Sequence, residues 1–156
     1  MRAQATYSIG HWQIKVVAED DQVVEIDFCQ AGEGIVNQSS PLTDRVARQL
    51  KEYFQGQRQT FDLPLRAKGT PFQEKVWQAL IQIPYGQTRT YKEIAEAIGN
   101  PKATRAVGMA NNRNPLAIVV PCHRVIGTNG QLTGYAGGVH IKAHLLELEA
   151  KSKNLA

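Results

Sequence analysis

Residues 118–127 read IVVPCHRVIG, and they place a cysteine and a histidine side by side between two runs of β-branched apolar residues. Such runs favour extended, buried backbone, so we expect Cys122 to lie where two rigid apolar segments meet. A thiol in apolar surroundings normally stays protonated, but a neighbouring imidazole and cationic groups lower its pKa and make it a nucleophile. His123 and Arg124 supply these groups. Taken alone, the triplet favours the alternative of a small core cysteine beside two surface residues.

Downstream of this stretch come a glycine-rich segment and a helix. Residues 128–138, TNGQLTGYAGG, permit close backbone approach to a ligand, although they also fit a flexible surface loop. In the helix predicted over His140–Ala150, Glu149 shares the apolar face of Leu145 and Leu146. The helix dipole disfavours a carboxylate near a helix C-terminus, so a compensating group is expected. An imidazolium could be that compensating group. The helix pattern alone, however, favours a Glu149 that is exposed at the surface or paired with a lysine.

Upstream, the pattern predicts three helices. Residues 70–73, TPFQ, form a capping-box start, and an apolar stripe continues from there nearly to Pro84. Two shorter helices, Tyr91–Ile98 and Lys102–Asn111, then flank a glycine-containing turn. This order is the helix-turn-helix pattern, but periodicity alone favours an ordinary helical hairpin.

The second short helix and the charge distribution favour DNA. Lys102 and Arg105 stand near the helix start, and small residues let its backbone approach a groove closely. These residues are expected on one face: Ala103, Ala106, Val107 and Ala110. Residues 1–68 carry 8 Lys/Arg against 9 Asp/Glu, while residues 69–156 carry 10 against 5. A polyanion such as DNA is attracted by such a basic half. The excess of positive charge is modest, however, and also fits an ordinary solvated surface.

The N-terminal portion predicts a small α+β lobe. Short strands are expected over Thr6–Ile9, Trp12–Ala18 and Val23–Cys29, with a hairpin turn at residues 19–21. Ser40 before Pro41, followed by an apolar stripe up to Gly56, predicts one amphipathic helix. Residues 57–68 lack a clear period and are interpreted as the crossing segment. We therefore expect a structural domain over 1–68 and a DNA-binding domain over 69–156.

Composition narrows the class of protein. The 156 residues are 42% hydrophobic and 21% charged, as in globular domains with a core of their own. No stretch approaches the roughly 20 apolar residues of a membrane span, and the first ten residues lack an apolar signal core. Cys29 and Cys122 show neither CxxC nor zinc-like spacing, which predicts free thiols in a reduced compartment. We expect a cytoplasmic protein without a membrane partner, and Cys29 as a structural residue.

Residues 114–149, which contain PCHRV and YAGG between Asn114 and Glu149, resemble the active-site signature of the O6-alkylguanine-DNA alkyltransferases, also called methylated-DNA-protein-cysteine methyltransferases. Residues 70–115 are similar to the segment just upstream in that family. The resemblance implies an α+β fold with a ribonuclease H-like N-terminal lobe and a mainly helical C-terminal lobe. It also implies a winged helix-turn-helix-like DNA-binding motif in the second lobe.

The resemblance implies that the protein repairs DNA. It implies irreversible transfer of an alkyl group to Cys122 from the O6 of guanine, and from the O4 of thymine, in duplex DNA after base flipping. A monomer would act once, without cofactor, metal or external methyl donor. Two alternatives remain: a damage-recognising DNA-binding protein without transfer, and a cysteine hydrolase built on Cys122, His123 and Glu149. A hydrolase, however, gains nothing from a helix-turn-helix, and the relatives that bind damage without transfer have another residue at position 122.

The resemblance also implies roles for individual residues. Glu149 orients His123, which acts on Cys122 through a water, and Tyr91 donates a proton near N3 of the departing guanine. Arg105 fills the stack that the flipped base leaves, and Asn114 supports the cysteine loop.

Further DNA contacts are implied for Ala103, Thr104, Met109, Ala110 and Tyr91. Pocket residues are implied at Pro115, Val125, Gly134, Tyr135 and Ala136; Ala136 replaces a frequent serine and Gly134 a larger side chain of some members, which leaves the substrate range open.

Overall fold

The computed structural model describes residues 2–30, 37–132, 135 and 138–152. The chain forms two compact units, and the predicted α+β class is confirmed. The first unit runs to Lys68 and also includes Pro115–Ala117, while the second comprises Gly69–Asn114 and the chain from Ile118 onward. Among the described residues, no helix is both long and apolar enough to cross a lipid bilayer.

A three-stranded antiparallel sheet underlies the first unit. Its strands are β1 (Arg2–Ile9), β2 (Trp12–Glu19) and β3 (Gln22–Cys29), in that spatial order. β2 and β3 are joined by Asp20 and Asp21, whose φ angles of 50° and 64° lie in the left-handed region. Aspartate tolerates this region better than most residues, and a two-residue turn of this hand matches the twist of the strands. The three predicted strands and the hairpin turn are confirmed, although β1 begins four residues earlier than predicted.

Helix α1 (Pro41–Phe54) packs against this sheet. Ser40 and Thr43 cap its start reciprocally: Thr43 N donates to Ser40 Oγ at 3.1 Å, and Ser40 N donates to Thr43 Oγ1 at 2.8 Å. The apolar stripe of the helix, Val46, Leu50 and Tyr53, is fully buried. The predicted amphipathic helix is therefore confirmed, including its start.

Two segments add to the edge of β3 through backbone hydrogen bonds. Val23 N donates to Pro64 O at 2.7 Å within the segment predicted as a crossing. Ile26 N donates to Pro115 O at 2.8 Å, and Ala117 N donates to Ile26 O at 3.0 Å. Residues 115–117 thus depart from the expectation that everything after residue 68 belongs to the C-terminal domain. Pairing between residues so far apart in sequence leaves no local pattern from which it could be predicted.

Helices dominate the second unit. They are α2 (Pro71–Ile81), α3 (Tyr91–Ala97), α4 (Thr104–Asn112) and α5 (Val139–Ser152). Capping boxes begin α2 and α3, formed by Thr70 with Gln73 and by Thr90 with Glu93. Trp77 Nε1 donates to Ala110 O at 2.8 Å and so joins α2 to α4. The two-residue strands β4 (Arg89–Thr90) and β5 (Val125–Ile126) pair in parallel.

Helix α4 begins two residues later than the sequence predicts. Ala103 N donates to Asn100 O at 3.0 Å in a turn that contains Lys102, and the helix starts at Thr104. Ala106 is exposed, so the expectation that it shares a face with Val107 and Ala110 is wrong. The buried face of the helix consists of Val107, Ala110 and Asn111.

The stretch before Cys122 is buried as expected, but it is not extended. Residues 117–119 form a turn, and Ile118 has a φ of 72°, a left-handed conformation that β-branched residues rarely adopt. After the cysteine, the two residues Val125 and Ile126 form a short strand. Intrinsic β propensity is a weak preference that burial and close packing override. Here the chain reverses direction within the apolar run, and the side chains of the run are buried at this reversal.

Candidate active site

The cysteine turn, Cys122–Arg124, is one turn of 3-10 helix. Its side chains are all buried, with exposed fractions of 6% for Cys122, 0% for His123 and 7% for Arg124. Cys122 N donates to Val120 O at 2.8 Å and fixes the start of the turn. The alternative in which His123 and Arg124 lie at the surface is therefore wrong.

Two asparagines support this turn, one in the last turn of α4 and one two residues beyond its end. Asn114 Nδ2 donates to Val120 O at 2.7 Å, and Asn111 Nδ2 donates to the carbonyl of Cys122 itself at 3.2 Å. Asn111 is only 1% exposed. The sequence interpretation included Asn114 but missed Asn111, although its position four residues after Val107 places it on the buried face of the helix.

Glu149 of α5 accepts four hydrogen bonds in the interior of the second unit. Its Oε2 lies 2.6 Å from His123 Nε2 and 3.0 Å from Arg124 Nη2. Its Oε1 accepts from Arg124 Nε at 2.8 Å and from Gly86 N at 3.1 Å. The carboxylate, 1% exposed, is thus compensated by an imidazole and also by a guanidinium. The sequence predicts Arg124 as a cation that acts on the thiol, whereas in the structure its guanidinium binds Glu149.

The protonation states of this cluster follow from burial and charge. Burial alone would raise the pKa of Glu149, but its hydrogen bonds with His123 and Arg124, together with the charge of Arg124, outweigh burial and lower that pKa to about 2. Burial lowers the pKa of His123, and the neighbouring Glu149 only partly opposes this shift. We therefore assign a neutral imidazole whose Nε2–H donates to Glu149. The other nitrogen, Nδ1, then carries a lone pair and has no hydrogen-bond partner among the described residues.

Lys142 is a buried cation that the sequence interpretation missed. It is 0% exposed, and its Nζ lies 3.4 Å from Tyr91 Oη and 5.7 Å from the centroid of the Tyr91 ring. Burial lowers the pKa of Lys142 to about 8, while the charge of Cys122 acts in the opposite direction. The sequence held a signal, since Lys142 precedes Leu145 by three residues and so shares its buried face.

The residues predicted to contact DNA divide between two faces of α4. Thr104, Arg105 and Met109 are exposed, and Ala103 is half-buried just before the helix. Ala110 is 2% exposed and its carbonyl bonds Trp77, so its assignment as a DNA contact is corrected: it faces α2. Tyr91, at the start of α3, is half-buried.

The predicted pocket residues lie in different parts of the structure. Val125 and Tyr135 are buried in the second unit, whereas Pro115 belongs to the first unit. Gly134 and Ala136 fall outside the described residues. Over the described ranges, no three His, Cys, Asp or Glu side chains are grouped so that they could hold a metal ion. The site thus offers a buried thiol, a neutral imidazole oriented by a carboxylate, and a buried ammonium beside a phenol, which are the groups of nucleophilic and acid–base chemistry.

Comparison with protein-family models matches nearly the whole chain. Residues 4–67 match the ribonuclease-like domain of 6-O-methylguanine DNA methyltransferase, and residues 71–151 match the DNA binding domain of the same family. The chain is 49% identical to the constitutive methylated-DNA--protein-cysteine methyltransferase of Bacillus subtilis, with 88% of each chain covered. It is 66% identical to the enzyme of that name from Methanosarcina acetivorans over 66% of each chain, slightly under two thirds of that protein's length.

The fold agrees with solved structures. The chain superposes on the crystal structure of Mycobacterium tuberculosis OGT in complex with DNA with a TM-score of 0.88 at 42% identity. The match covers 96% of this chain and 93% of that one. A structure of the O6-methylguanine methyltransferase from the same organism gives a TM-score of 0.86 at 40% identity, covering 97% and 94%.

Proposed function

This chain belongs to the 6-O-methylguanine DNA methyltransferase family, and on that premise we propose that it repairs DNA by moving an alkyl group from the O6 of guanine to its own Cys122. The observation that carries the proposal is the cysteine turn. The buried Cys122 is followed directly in the chain by His123, whose Nε2 lies 2.6 Å from the carboxylate of Glu149, and all three side chains are buried. A displacement at saturated carbon needs such an activated thiol.

The reaction divides among named groups. The Cys122 proton passes through one water to Nδ1 of His123, and Glu149 stabilises the resulting imidazolium. The sulfur attacks the alkyl carbon, the carbon–oxygen bond breaks, and its electron pair stays with the guanine. Tyr91 then donates a proton near N3 of the departing base. The ammonium of Lys142, 3.4 Å from Tyr91 Oη, favours the phenolate that this donation leaves behind.

DNA recognition belongs to α3, α4 and the turn that joins them, acting as a helix-turn-helix. The exposed side chains of Thr104, Arg105 and Met109 project from α4 and would meet the duplex. The reacting base lies inside the stack and must be flipped out, which costs a few kcal/mol. Arg105 takes the place of the flipped base. Ala103 contributes a small surface at the start of the helix.

Damage specificity and cellular setting complete the proposal. The protein acts as a cytoplasmic monomer on O6-alkylguanine, and on O4-alkylthymine, in double-stranded DNA. Neither Cys29 nor Cys122 forms a disulfide, in agreement with a reducing compartment. Val125 and Tyr135 line the pocket for the flipped base, and Asn114 holds the loop that carries the nucleophile.

Each molecule should react once, because a thioether is a poor leaving group and no hydrolytic step follows. With excess methylated duplex, repaired base should therefore reach a plateau at one equivalent of active protein. Intact and peptide mass spectrometry should place one added methyl on Cys122. Continued turnover, or a methyl on Cys29, would overturn the mechanism.

Two variants control this measurement. Cys122→Ser should bind the methylated duplex in fluorescence anisotropy yet leave it unrepaired. Cys29→Ser should transfer like the unmodified protein, since Cys29 lies at the end of β3 in the first unit. Binding of lesions without any transfer by the unmodified protein would favour the damage-recognising alternative, and steady release of product from an ester would favour the hydrolase.

A further inference from the structure

Arg124 shares a turn with the nucleophile, but its guanidinium extends to α5. All three of its nitrogens donate: Nε and Nη2 to Glu149, and Nη1 to Ile83 O at 2.7 Å. The guanidinium carbon also lies 5.6 Å from the centroid of the Tyr85 ring. With 7% of the residue exposed, this is a buried planar fork, the geometry in which Arg holds a carboxylate most firmly.

The fork determines which atom of Glu149 meets the imidazole. Oε1 is held by Arg124 Nε and Gly86 N, so Oε2 remains directed at His123 Nε2, 2.6 Å away. A carboxylate bound at both oxygens cannot rotate without breaking a bond to the guanidinium. The imidazole therefore keeps its proton on Nε2 and presents Nδ1 as the basic nitrogen.

The charge of Arg124 acts on the same groups. The ionisable groups around this cluster, among the residues described, are Cys122 and His123 in the turn, Lys142 and Glu149 on α5, Tyr85 after α2 and Tyr91 on α3. Arg124 balances the charge of Glu149, and it opposes a proton on His123. Loss of this positive charge would let each of Glu149, His123 and Cys122 hold a proton to higher pH.

We propose that Arg124 is a positioning residue for alkyl transfer, which fixes Glu149 with its two-nitrogen fork and prevents the Cys122–His123 pair from taking up a second proton near neutral pH. The proposal rests on the proposed function, because it assigns a role within that reaction. The pair reacts from the state with a single proton, which can move from sulfur to Nδ1. A second proton occupies Nδ1 and leaves the thiol without a base.

Two variants separate the geometry from the charge. Arg124→Lys keeps the charge but loses the fork, so the rate of transfer at its pH plateau should fall about 10- to 100-fold while the acid limb stays in place. Arg124→Gln loses both, so its rate should fall and its acid limb should also move to higher pH by about one unit or more. Single-turnover rates are measured across pH with methylated duplex and divided by the methyl accepted at completion, which removes inactive protein from the comparison.

A purely structural role predicts a different result. Both variants would then accept less methyl or melt at lower temperature, while the rate per active molecule and its pH profile would match the unmodified protein; that outcome overturns the proposal. Arg58→Gln serves as the matched control, since Arg58 pairs with Glu52 at 2.9 Å in the first unit. Its pH profile should be unchanged.

A titration without DNA keeps this test independent of the proposed function. NMR of the His123 ring should show a neutral imidazole through the neutral range in the unmodified protein, and a titration at higher pH in Arg124→Gln. An imidazole that titrates above pH 7 in the unmodified protein would overturn the role of Arg124 without any variant. Failure of methyl transfer by the unmodified protein, by contrast, would contradict the proposed function and leave this titration as the decisive measurement for Arg124.

Discussion

At the scale of single residues, we expect deprotonation of Lys142 at high pH to lower the rate of transfer and to raise the stability of the fold. Its ammonium, at 0% exposure, stands 3.4 Å from Tyr91 Oη, where it would support the phenolate that the proposed proton donation leaves behind. Because burial lowers the pKa of Lys142 to about 8, the transfer rate should decline above that pH. Lys142→Met should transfer slowly at neutral pH and lack this decline. A variant with the same basic limb as the unmodified protein would remove Lys142 from the reaction.

Stability should change in the other direction. The folded-state pKa of Lys142 lies below the unfolded value, so between pH 8 and about 10.5 the unfolded chain binds more protons and unfolding becomes harder as pH rises. The gain should be at most about 3 kcal/mol. Urea melts across this range should show it in the unmodified protein and not in Lys142→Met. Lys151→Met on the same helix is the control, since Lys151 is exposed and pairs with Glu147.

The protonation of individual residues could be predicted from sequence only in part. Helical spacing placed Glu149 on a buried face, and the same spacing applied to Lys142 would have found the second buried charge. The sequence does not show where a long side chain ends. Arg124 lies only two residues after Cys122 along the chain, yet its guanidinium meets a carboxylate 25 positions later, because a single turn of helix directs nearby side chains apart.

At the scale of elements, the flipping role proposed for Arg105 on α4 can be tested separately from general attraction to DNA. Arg105→Ala should reduce transfer from duplex more than reaction with free O6-methylguanine, because only the duplex substrate needs a replacement for the flipped base. Single-turnover rates on both substrates measure this difference. Equal losses would contradict the assigned role.

Lys102, in the turn before α4, gives a matched comparison. Lys102→Ala should weaken binding to damaged and undamaged duplex alike. It should also reduce the slope of log K against log salt concentration by about one, since one phosphate contact is lost. The ratio of duplex to free-base transfer rates at saturating DNA should stay unchanged. A fall in that ratio for Lys102→Ala would show that loss of positive charge alone explains the effect of Arg105.

Elements with a local signal could be predicted, and those fixed by distant contacts could not. Ser40 before Pro41, the capping-box sequence at Thr70 and the stripes that follow them located two helices, because capping and periodicity act within a few residues. The reversal at Ile118 gave no such signal. Its left-handed φ of 72° contradicts the preference of isoleucine, and contacts from distant parts of the chain surround it: Ile118 is buried, and Asn114 bonds the carbonyl of Val120 in the same loop.

At the scale of the whole molecule, the chain crosses between its two units three times. It leaves the first unit after Lys68, returns for Pro115–Ala117 and leaves again at Ile118. The two family domains that match the sequence meet near residue 68, and this boundary is sufficient to assign the chain to its family. It does not show that Leu116, fully buried, completes the first unit.

The two units are therefore interleaved in sequence, and a split protein cut after residue 68 would not consist of two complete halves. The fragment 1–68 lacks the strand partner that bonds Ile26 through both its N–H and its carbonyl, at 2.8 and 3.0 Å. An open strand edge of this kind promotes association between chains. We expect this fragment to sediment as oligomers at concentrations where the intact chain is monomeric, and to return toward monomer when a peptide covering residues 114–118 is added. A monomeric, stable fragment 1–68 would show that the returning segment contributes nothing to the unit in which it lies.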